Sequence, residues 1–340
     1  MRENNNKNMD NPVISTKVNS LFTVSNFLST ESREDLISEI YTGLTARQKY
    51  ISSRFFYDDK GSSLFEEITA LPEYYPTRTE ISILKANAQK ILGDFEKLDI
   101  IELGSGDCSK ISILLEAIPK NKIANVSYIP VDVSGAAIYK SADILSLKYP
   151  ELKIQGLLAD FLKHLTQLPG KGNRLICFFG STIGNLNRNE ALGFLKNVKK
   201  HLCPGDKFLL GLDRVKDFKV LHNAYNDKQG ITALFNKNIL DVINRTVGTN
   251  FNTRHFEHLA YYNEKKARIE MHLKADKDIV ISSDLFPEKV YLKKGETIHT
   301  ENSHKFTLND IHVFANISGL KIENIFNDER EWFSLINFKA

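Results

Sequence analysis

The chain is expected to fold as an α/β protein around a parallel sheet with helices on both faces. Three observations lead there. Between residues 99 and 213, short apolar, β-favouring runs alternate with helix-patterned segments, the pattern of parallel strands joined by crossover helices. The first run, Asp99-Ile100-Ile101-Glu102-Leu103, passes through Gly104-Ser105-Gly106 into a helical segment that begins at Ser109. Strand, glycine turn and helix together offer backbone N–H groups and a helix N-terminus to a ligand. Finally, Asp132, Asp160, Asn185 and Asp213 recur just beyond the expected strands, where open parallel sheets bind their ligands.

The elements follow in order. Residues 31–44 have helical spacing, with Leu36, Ile37, Ile40 and Leu44 on one face. Residues 54–80, RFFYDDKGSSLFEEITALPEYYPTRTE, are dense in aromatics and punctuated by Pro72 and Pro76. They read as a packed helical cap whose tyrosines bring hydroxyls to a site, because a buried phenol needs a partner. Thr77-Arg78-Thr79-Glu80 reads as a capping box ahead of a helix at 81–92. Strands are expected at 99–103, 126–132, 153–158, 173–180 and 206–212, and helices at 109–118, 134–147 and 188–202. Beyond the alternating region, 217–245 is helical in pattern, and 267–274, 278–283 and 297–306 are strand-like. A helix from Thr307 to Leu320, capped by Thr307 with Asp310 in its first turn, precedes a last strand at 332–338.

With 340 residues, 42% hydrophobic and 26% charged, the chain can bury the core of one large or two modest domains. Its 45 basic and 42 acidic residues leave a net charge of +3, with no basic run interleaved with aromatics, so no nucleic-acid partner is expected. Cys108, Cys177 and Cys203 form neither a CxxC pair nor a Cys/His cluster. No metal and no disulfide framework are therefore expected, and a reducing, cytoplasmic location is. The polar start, MRENNNKNMDNP, lacks a signal peptide's apolar stretch, and no run reaches the ~18 apolar residues of a membrane span. Residues 1–18 read as a disordered tail.

The strand ends suggest the chemistry. Gly104 and Gly106 permit positive φ and close backbone approach. The third glycine of the dinucleotide fingerprint is replaced by Ser109, and the Gly-Lys-Ser/Thr of a P-loop is absent. The loop is more similar to the glycine loop of class I S-adenosylmethionine methyltransferases. Asp132 is placed to accept both hydroxyls of a ribose, and Asp160-Phe161 to hold an adenine by its amine and its ring face. In Gly180-Ser181-Thr182-Ile183-Gly184-Asn185, small residues suit a pocket lining, and Asn185 can meet a substrate carboxylate or amine. Glu301 and Ser303 stand two apart on an expected strand and so share a face. An acceptor beside a hydroxyl could clamp a ring with two nitrogens. His299 and His304 flank them and are expected at the surface.

Six stretches together resemble one family: FFYDDKGSSLFEEITALPEYYPTRTE (55–80), IELGSGDCSK (101–110), FFGSTIGNL (178–186), AYNDKQGITALFNKN (224–238), FEH…RIEM (256–271) and TENSHKF (300–306). They resemble the histidine Nα-methyltransferases of ergothioneine biosynthesis and span nearly everything after residue 20. The resemblance implies a class I (Rossmann-like) methyltransferase sheet with a second, smaller α+β substrate-binding domain. It divides the chain into the tail, residues 19–95 of the substrate domain, a core at 96–215, an insertion at 216–300 completing the substrate domain, and a return to the core at 301–340. Carried over by position, it implies S-adenosyl-L-methionine contacts at Gly104, Lys110, Asp132, Asp160 and Phe161. It implies histidine contacts at Tyr74, Asn185, Tyr225 and the Glu301–Ser303 segment, with Tyr57, Phe65, Gly180 and Met271 in the pocket. Of these, Tyr57, Asn185 and Tyr225 are expected at the reacting centre. Asp107-Cys108 and Ser134 depart from the mycobacterial pattern. The resemblance further implies a monomer that binds a small-molecule substrate and needs neither metal nor membrane. Relatives in the same branch methylate other substrates, so an N-methyltransferase for another amino acid or amine, or a non-catalytic adenosylmethionine binder, is a distinct alternative.

Overall fold

A computed structural model describes residues 14–17, 20–28, 32–170 and 173–340. Taken along the chain, strands β1 (Ile14–Lys17) and β2 (Phe22–Asn26) precede helices α1 (Arg33–Thr45), α2 (Asp59–Ala70) and α3 (Tyr75–Leu92). The alternating region follows as β3 (Leu98–Leu103), α4 (Ser109–Glu116), β4 (Val126–Asp132), α5 (Gly135–Lys148), β5 (Lys153–Leu158), β6 (Arg174–Phe178), α6 (Arg188–His201) and β7 (Lys207–Asp213). Then come α7 (Phe218–Tyr225), α8 (Ile231–Val247), β8 (Phe256–Asn263), β9 (Arg268–Ala275), β10 (Ile279–Ile281), β11 (Val290–Leu292) and β12 (Thr297–His304). The chain finishes with α9 (Leu308–Ser318), β13 (Lys321–Asn327) and β14 (Phe333–Lys339).

Nine strands form one sheet in the order β1-β2-β5-β4-β3-β6-β7-β14-β13. From β2 to β7 every neighbour is parallel; β14 runs antiparallel to β7, and β13 to β14. Starting from β3, the chain first builds outward through β4 and β5, then returns to add β6 and β7 on the other side. The crevice between β3 and β6 is thus the switch point where a ligand enters. Strands at the sheet's centre are buried on both faces: Ile100, Ile101, Leu103, Leu209 and Leu210 are at most 1% exposed. Near-continuous apolar runs in such strands are what a doubly covered parallel sheet requires.

A second apolar cluster is separate. It joins Leu44 of α1, Phe56, Ile68 of α2 and Tyr75 to Phe235 and Ile239 of α8 and to Met271, Leu273 and Ile298 of the β12-β9-β8 sheet. Helix α3 ties the two together, with Tyr75 in the second cluster and Ile83, Leu84, Ala88, Ile91 and Leu92 in the sheet's. Among the described residues, no helix is long and apolar enough to cross a membrane.

Several expectations are corrected. Residues 1–13 and 18 of the expected tail lie outside the described residues, but 14–17 form β1, paired with β2. Strand β2 then joins β5, so the segment 19–95 is divided between the two clusters instead of serving only the substrate part. Strand β12 runs from Thr297 to His304, across the boundary expected at 300. The helix expected at 217–245 is interrupted. Asp227 accepts the Ile231 and Thr232 N–H groups at 2.9 and 2.8 Å, and Gly230 takes φ +74°, so α8 begins afresh there. Helix α3 starts at Tyr75 with Pro76 in its first turn, where a missing N–H costs nothing. Thr77 is therefore not its cap, and Glu80 faces inward with 0% exposure.

Candidate active site

A cleft of about 1850 Å³ opens where the carboxyl ends of β3, β4, β5 and β6 meet the second cluster, and all the expected site residues line it. A pocket for one drug-sized ligand is about 300–1,000 Å³, so this cleft has room for two.

The β3–α4 loop closes one end. Gly104 has φ +70° and its N–H reaches the Val131 carbonyl at 2.8 Å, while Gly106 has φ +52° and donates to Asp132 Oδ2 at 3.2 Å. Oδ1 of Asp132 accepts the Ser134 N–H at 2.9 Å. Burial raises the Asp132 carboxyl above its ordinary value, and backbone N–H groups, led by those of Ser134 and Gly106, oppose the rise. After β5, Asp160 accepts the Leu162 N–H at 2.9 Å, which orients its carboxylate. Phe161 packs edge-on against Phe178, with ring centroids 5.0 Å apart.

Lys110, on the first turn of α4, is held by Glu80 of α3 at 2.8 Å. The same carboxylate accepts the Gly180 N–H at 2.9 and 3.1 Å. One buried acid therefore fixes both the loop after β3 and the loop after β6. Gly180 has φ +73°, and a Cβ there would sit 3.3 Å from Lys110 Nζ. Ser181, also left-handed at φ 56°, is anchored where its Oγ accepts the Asp213 N–H at 2.9 Å. Non-glycine residues in that region cluster at functional sites.

The other end is built on β12 and its neighbours. Glu301 and Ser303 pair with Met271 and Ile269 of β9, just past an irregularity in the register after His299. Such bulges re-aim side chains beside active sites; here both Glu301 and Ser303 face the cleft. Glu301 Oε1 accepts from Asn185 Nδ2 at 3.4 Å. Burial pushes its carboxyl up to about 7, against the opposing pull of Lys305 and Asn185. The Tyr225 hydroxyl donates to Ser303 Oγ at 2.7 Å. Tyr57 and Tyr74 form an aromatic wall with Phe65 and Phe235. Burial holds the Tyr57 phenol well above its usual value, and Glu301 and, less strongly, Asp132 add to this, so it lies within the field of both ends of the cleft.

Sequence reasoning missed three participants. Glu80 was read as a helix cap. Lys305, 1% exposed, donates to Ser303 Oγ at 2.8 Å and to Tyr225 Oη at 3.1 Å. Lys216 holds Asp213 from behind and donates to Tyr75 Oη at 2.8 Å. Glu80 and Lys305 lie inside two of the resembling stretches, 55–80 and 300–306, but nothing there gave them a place at the site, and no stretch includes Lys216. Asp213, seen as a strand-end acid, is 1% exposed and serves this charge network. His304 is buried and His299 half-buried, contrary to their expected surface positions. With Glu270, the nitrogens of His272 and His299 lie within 4.8 Å of one another, but Glu270 is already committed to Arg268, Tyr261 and Asn263.

The family described as "Histidine-specific methyltransferase, SAM-dependent" matches residues 36–340. The Histidine N-alpha-methyltransferase of Mycolicibacterium smegmatis is 37% identical over 314 residues, which cover 92% of this chain and 98% of that protein. Ergothioneine biosynthesis protein 1 of Neurospora crassa is 32% identical over 282 residues, 80% of this chain but 31% of the larger protein. The 4-dimethylallyltryptophan N-methyltransferase easF of Claviceps purpurea is 27% identical over 302 residues, covering 82% of this chain and 87% of that protein. Among solved structures, the mitomycin 7-O-methyltransferase MmcR aligns with a TM-score of 0.46 at 10% identity, over 91% of this chain and 69% of that one. A family match over nearly the whole chain, and an identity of 37% across almost all of a relative, leave one assignment: this protein belongs to the histidine-specific, S-adenosylmethionine-dependent methyltransferases.

Proposed function

We propose that the protein methylates the α-amino nitrogen of L-histidine three times, giving Nα,Nα,Nα-trimethylhistidine (hercynine), the step used in ergothioneine biosynthesis. The observation that carries the substrate is the Glu301–Ser303 pair: a carboxylate and a hydroxyl on one face of a strand, lining the cleft beside Asn185 and Tyr225. An imidazole offers one N–H and one bare nitrogen, and a buried polar pair rejects rings that leave it unpaired.

The other end suits S-adenosylmethionine. Ser105 Oγ in the glycine loop is buried with no partner, and a Cβ at Gly180 would crowd Lys110 Nζ, in space a carboxylate could use. Lys110 would hold the cofactor's carboxylate, Asp132 the ribose hydroxyls, and Asp160 with Phe161 the adenine. Bound there, the cofactor supplies a methyl group activated by a sulfonium, which needs no Lewis acid, and we propose an enzyme that works without metal.

The chain's own task is then placement. Asn185 and Tyr225 hold the substrate carboxylate and set the angle of the nitrogen lone pair, while Tyr74, Glu301 and Ser303 grip the ring. Alignment at roughly 3–3.5 Å is worth much of the barrier by itself. Tyr57, whose phenol stays protonated, donates a hydrogen bond through water near the amine and is no base. Repeated transfer requires that no single amine proton be indispensable, and the aromatic wall of Tyr57, Phe65 and Tyr74 leaves room for added methyls. We propose that it acts as a monomer in the cytoplasm.

A second reading, an indole substrate, is prompted by the tryptophan-type relative. Glu301 and Ser303 argue against it, since an indole has one N–H and no second ring nitrogen. The test is incubation with adenosylmethionine and each of the twenty amino acids, with products weighed by mass spectrometry. Methylated histidine, with little or nothing from the others, is expected. Preference for a different amino acid would overturn the substrate, and no product from any of them would favour a binding protein.

A further inference from the structure

Behind the Glu301–Ser303 strand lies a cation that the reading above does not use. Lys305 Nζ has three acceptors: Asp213 Oδ2 at 2.8 Å, Ser303 Oγ at 2.8 Å and Tyr225 Oη at 3.1 Å. An ammonium has three protons and no lone pair, so this one gives everything it has and accepts nothing. Its side chain is 0% exposed, which rules out contact with bulk water. The surrounding elements supply the balance of charge. Asp213 and Lys216 come from the end of β7 and the turn after it, Tyr75 from α3, Tyr225 from α7, Tyr262 from β8, and Glu301 and His304 from β12. Asp213 carries two lysines and a tyrosine, so it stays partnered if Lys305 is replaced.

We propose that Lys305 is a positioning residue that turns the Tyr225–Ser303 hydroxyl pair into a hydrogen-bond donor facing the substrate. The argument is a count of protons. Both oxygens receive a proton from Lys305, and one hydroxyl also donates to the other at 2.7 Å. Whichever way that bond runs, one hydroxyl proton is left over, and both hydroxyl-bearing residues line the cleft. If the substrate breaks the inner bond, both protons become free. In neither case does the pair need a proton from the ligand. With Tyr225 donating to Ser303, the cleft then reads a ring by opposite demands at two points: Glu301 takes a proton, and Ser303 gives one. A neutral imidazole meets both, whereas a ring that lacks a bare nitrogen meets at most one. This inference rests on histidine being the substrate.

The test is calorimetry with S-adenosylhomocysteine present, comparing L-histidine with 3-(2-thienyl)alanine, a ring of similar size without nitrogen. Wild type, Lys305→Met, Lys305→Arg, Ser303→Ala and the Lys305→Met/Ser303→Ala double variant are measured. Wild type should prefer histidine at least about a hundredfold. Lys305→Met should weaken histidine about tenfold or more and leave the thienyl ligand nearly unchanged, so that the ratio falls; Lys305→Arg should recover much of it. Ser303→Ala should cost much less in the Met background than in wild type, the mark of coupled residues. A merely structural lysine would weaken both ligands equally, and that result overturns the proposal, as does an unchanged ratio. Should Lys305→Met fail to fold, Lys305→Gln, uncharged but with two donors for the two hydroxyls, must keep much of the ratio, and a ratio that falls as far as in Ser303→Ala overturns the proposal. Wild type that binds no histidine overturns the substrate reading and this inference with it; histidine binding with an indifferent Lys305 overturns this inference alone.

Discussion

At the residue scale, Glu301 is the side chain on which the proposed choice of substrate turns, and its environment makes a prediction of its own. Burial holds its carboxyl at about 7 in the folded chain, against 4.5 ordinarily. The sign is that of an acid raised by folding. Below its ordinary value the group is protonated in both states and no stability is lost; as pH rises from there to about 7, the unfolded chain has released its proton while the folded chain keeps it, so the fold is progressively penalised, and above about 7 the penalty stays constant. At about 1.4 kcal/mol per unit, the full effect is about 3–4 kcal/mol. Without ligand, Glu301→Gln should therefore gain stability relative to wild type between pH 5 and pH 8, read by urea unfolding at each pH. A pH-independent difference would mean that the carboxyl is ionised throughout. The pairing of Glu301 with Ser303 was legible in the sequence because strand residues two apart share a face. The role of Lys305 was not, because nothing in its spacing shows that one ammonium reaches three acceptors from β7, α7 and β12.

At the element scale, the misread start of α3 is instructive. Thr77-Arg78-Thr79-Glu80 has the residue types of a capping box, yet Pro76 already occupies the first turn, and Glu80 turns inward to Lys110 and Gly180 N–H. The pattern of a cap and the pattern of a buried bridge are the same in one dimension; only the position of Gly180, a hundred residues on, separates them. The two assignments differ in the measured stabilities. Loss of one partner of a buried ion pair costs about 3–5 kcal/mol, reduced somewhat here because Lys110 is 18% exposed. Glu80→Ala should thus destabilise by about 3 kcal/mol and weaken S-adenosylhomocysteine binding, while Thr77→Ala changes stability by under about 0.5 kcal/mol. Equal losses of about 1 kcal/mol in both variants would restore the cap. Long periodic elements such as β4, β5 and α6 were legible nearly to the residue. Short strands such as β1, β2 and β11, with three to five residues each, were not, since so few positions carry no period.

At the scale of the whole molecule, two apolar clusters meet at one cleft, and α3 spans both. The parallel sheet was readable because its crossovers are local in sequence. How the remainder packs was less so: β2 adds to the sheet beside β5, far along the chain, and the second cluster joins residues 40–75 to 221–298. In the proposed reading, this arrangement sets a cofactor end at Asp132 and the glycine loop against a ring-binding end at Glu301. A substrate gripped by its ring and its carboxylate presents its α-nitrogen, and not its ring nitrogens, to the methyl donor. The most direct test of that polarity is a time course of histidine with excess adenosylmethionine, in which fragmentation mass spectrometry locates each methyl group. The account predicts mono-, di- and trimethylated histidine in succession, with every methyl on the α-nitrogen. A methyl group on the imidazole would contradict it.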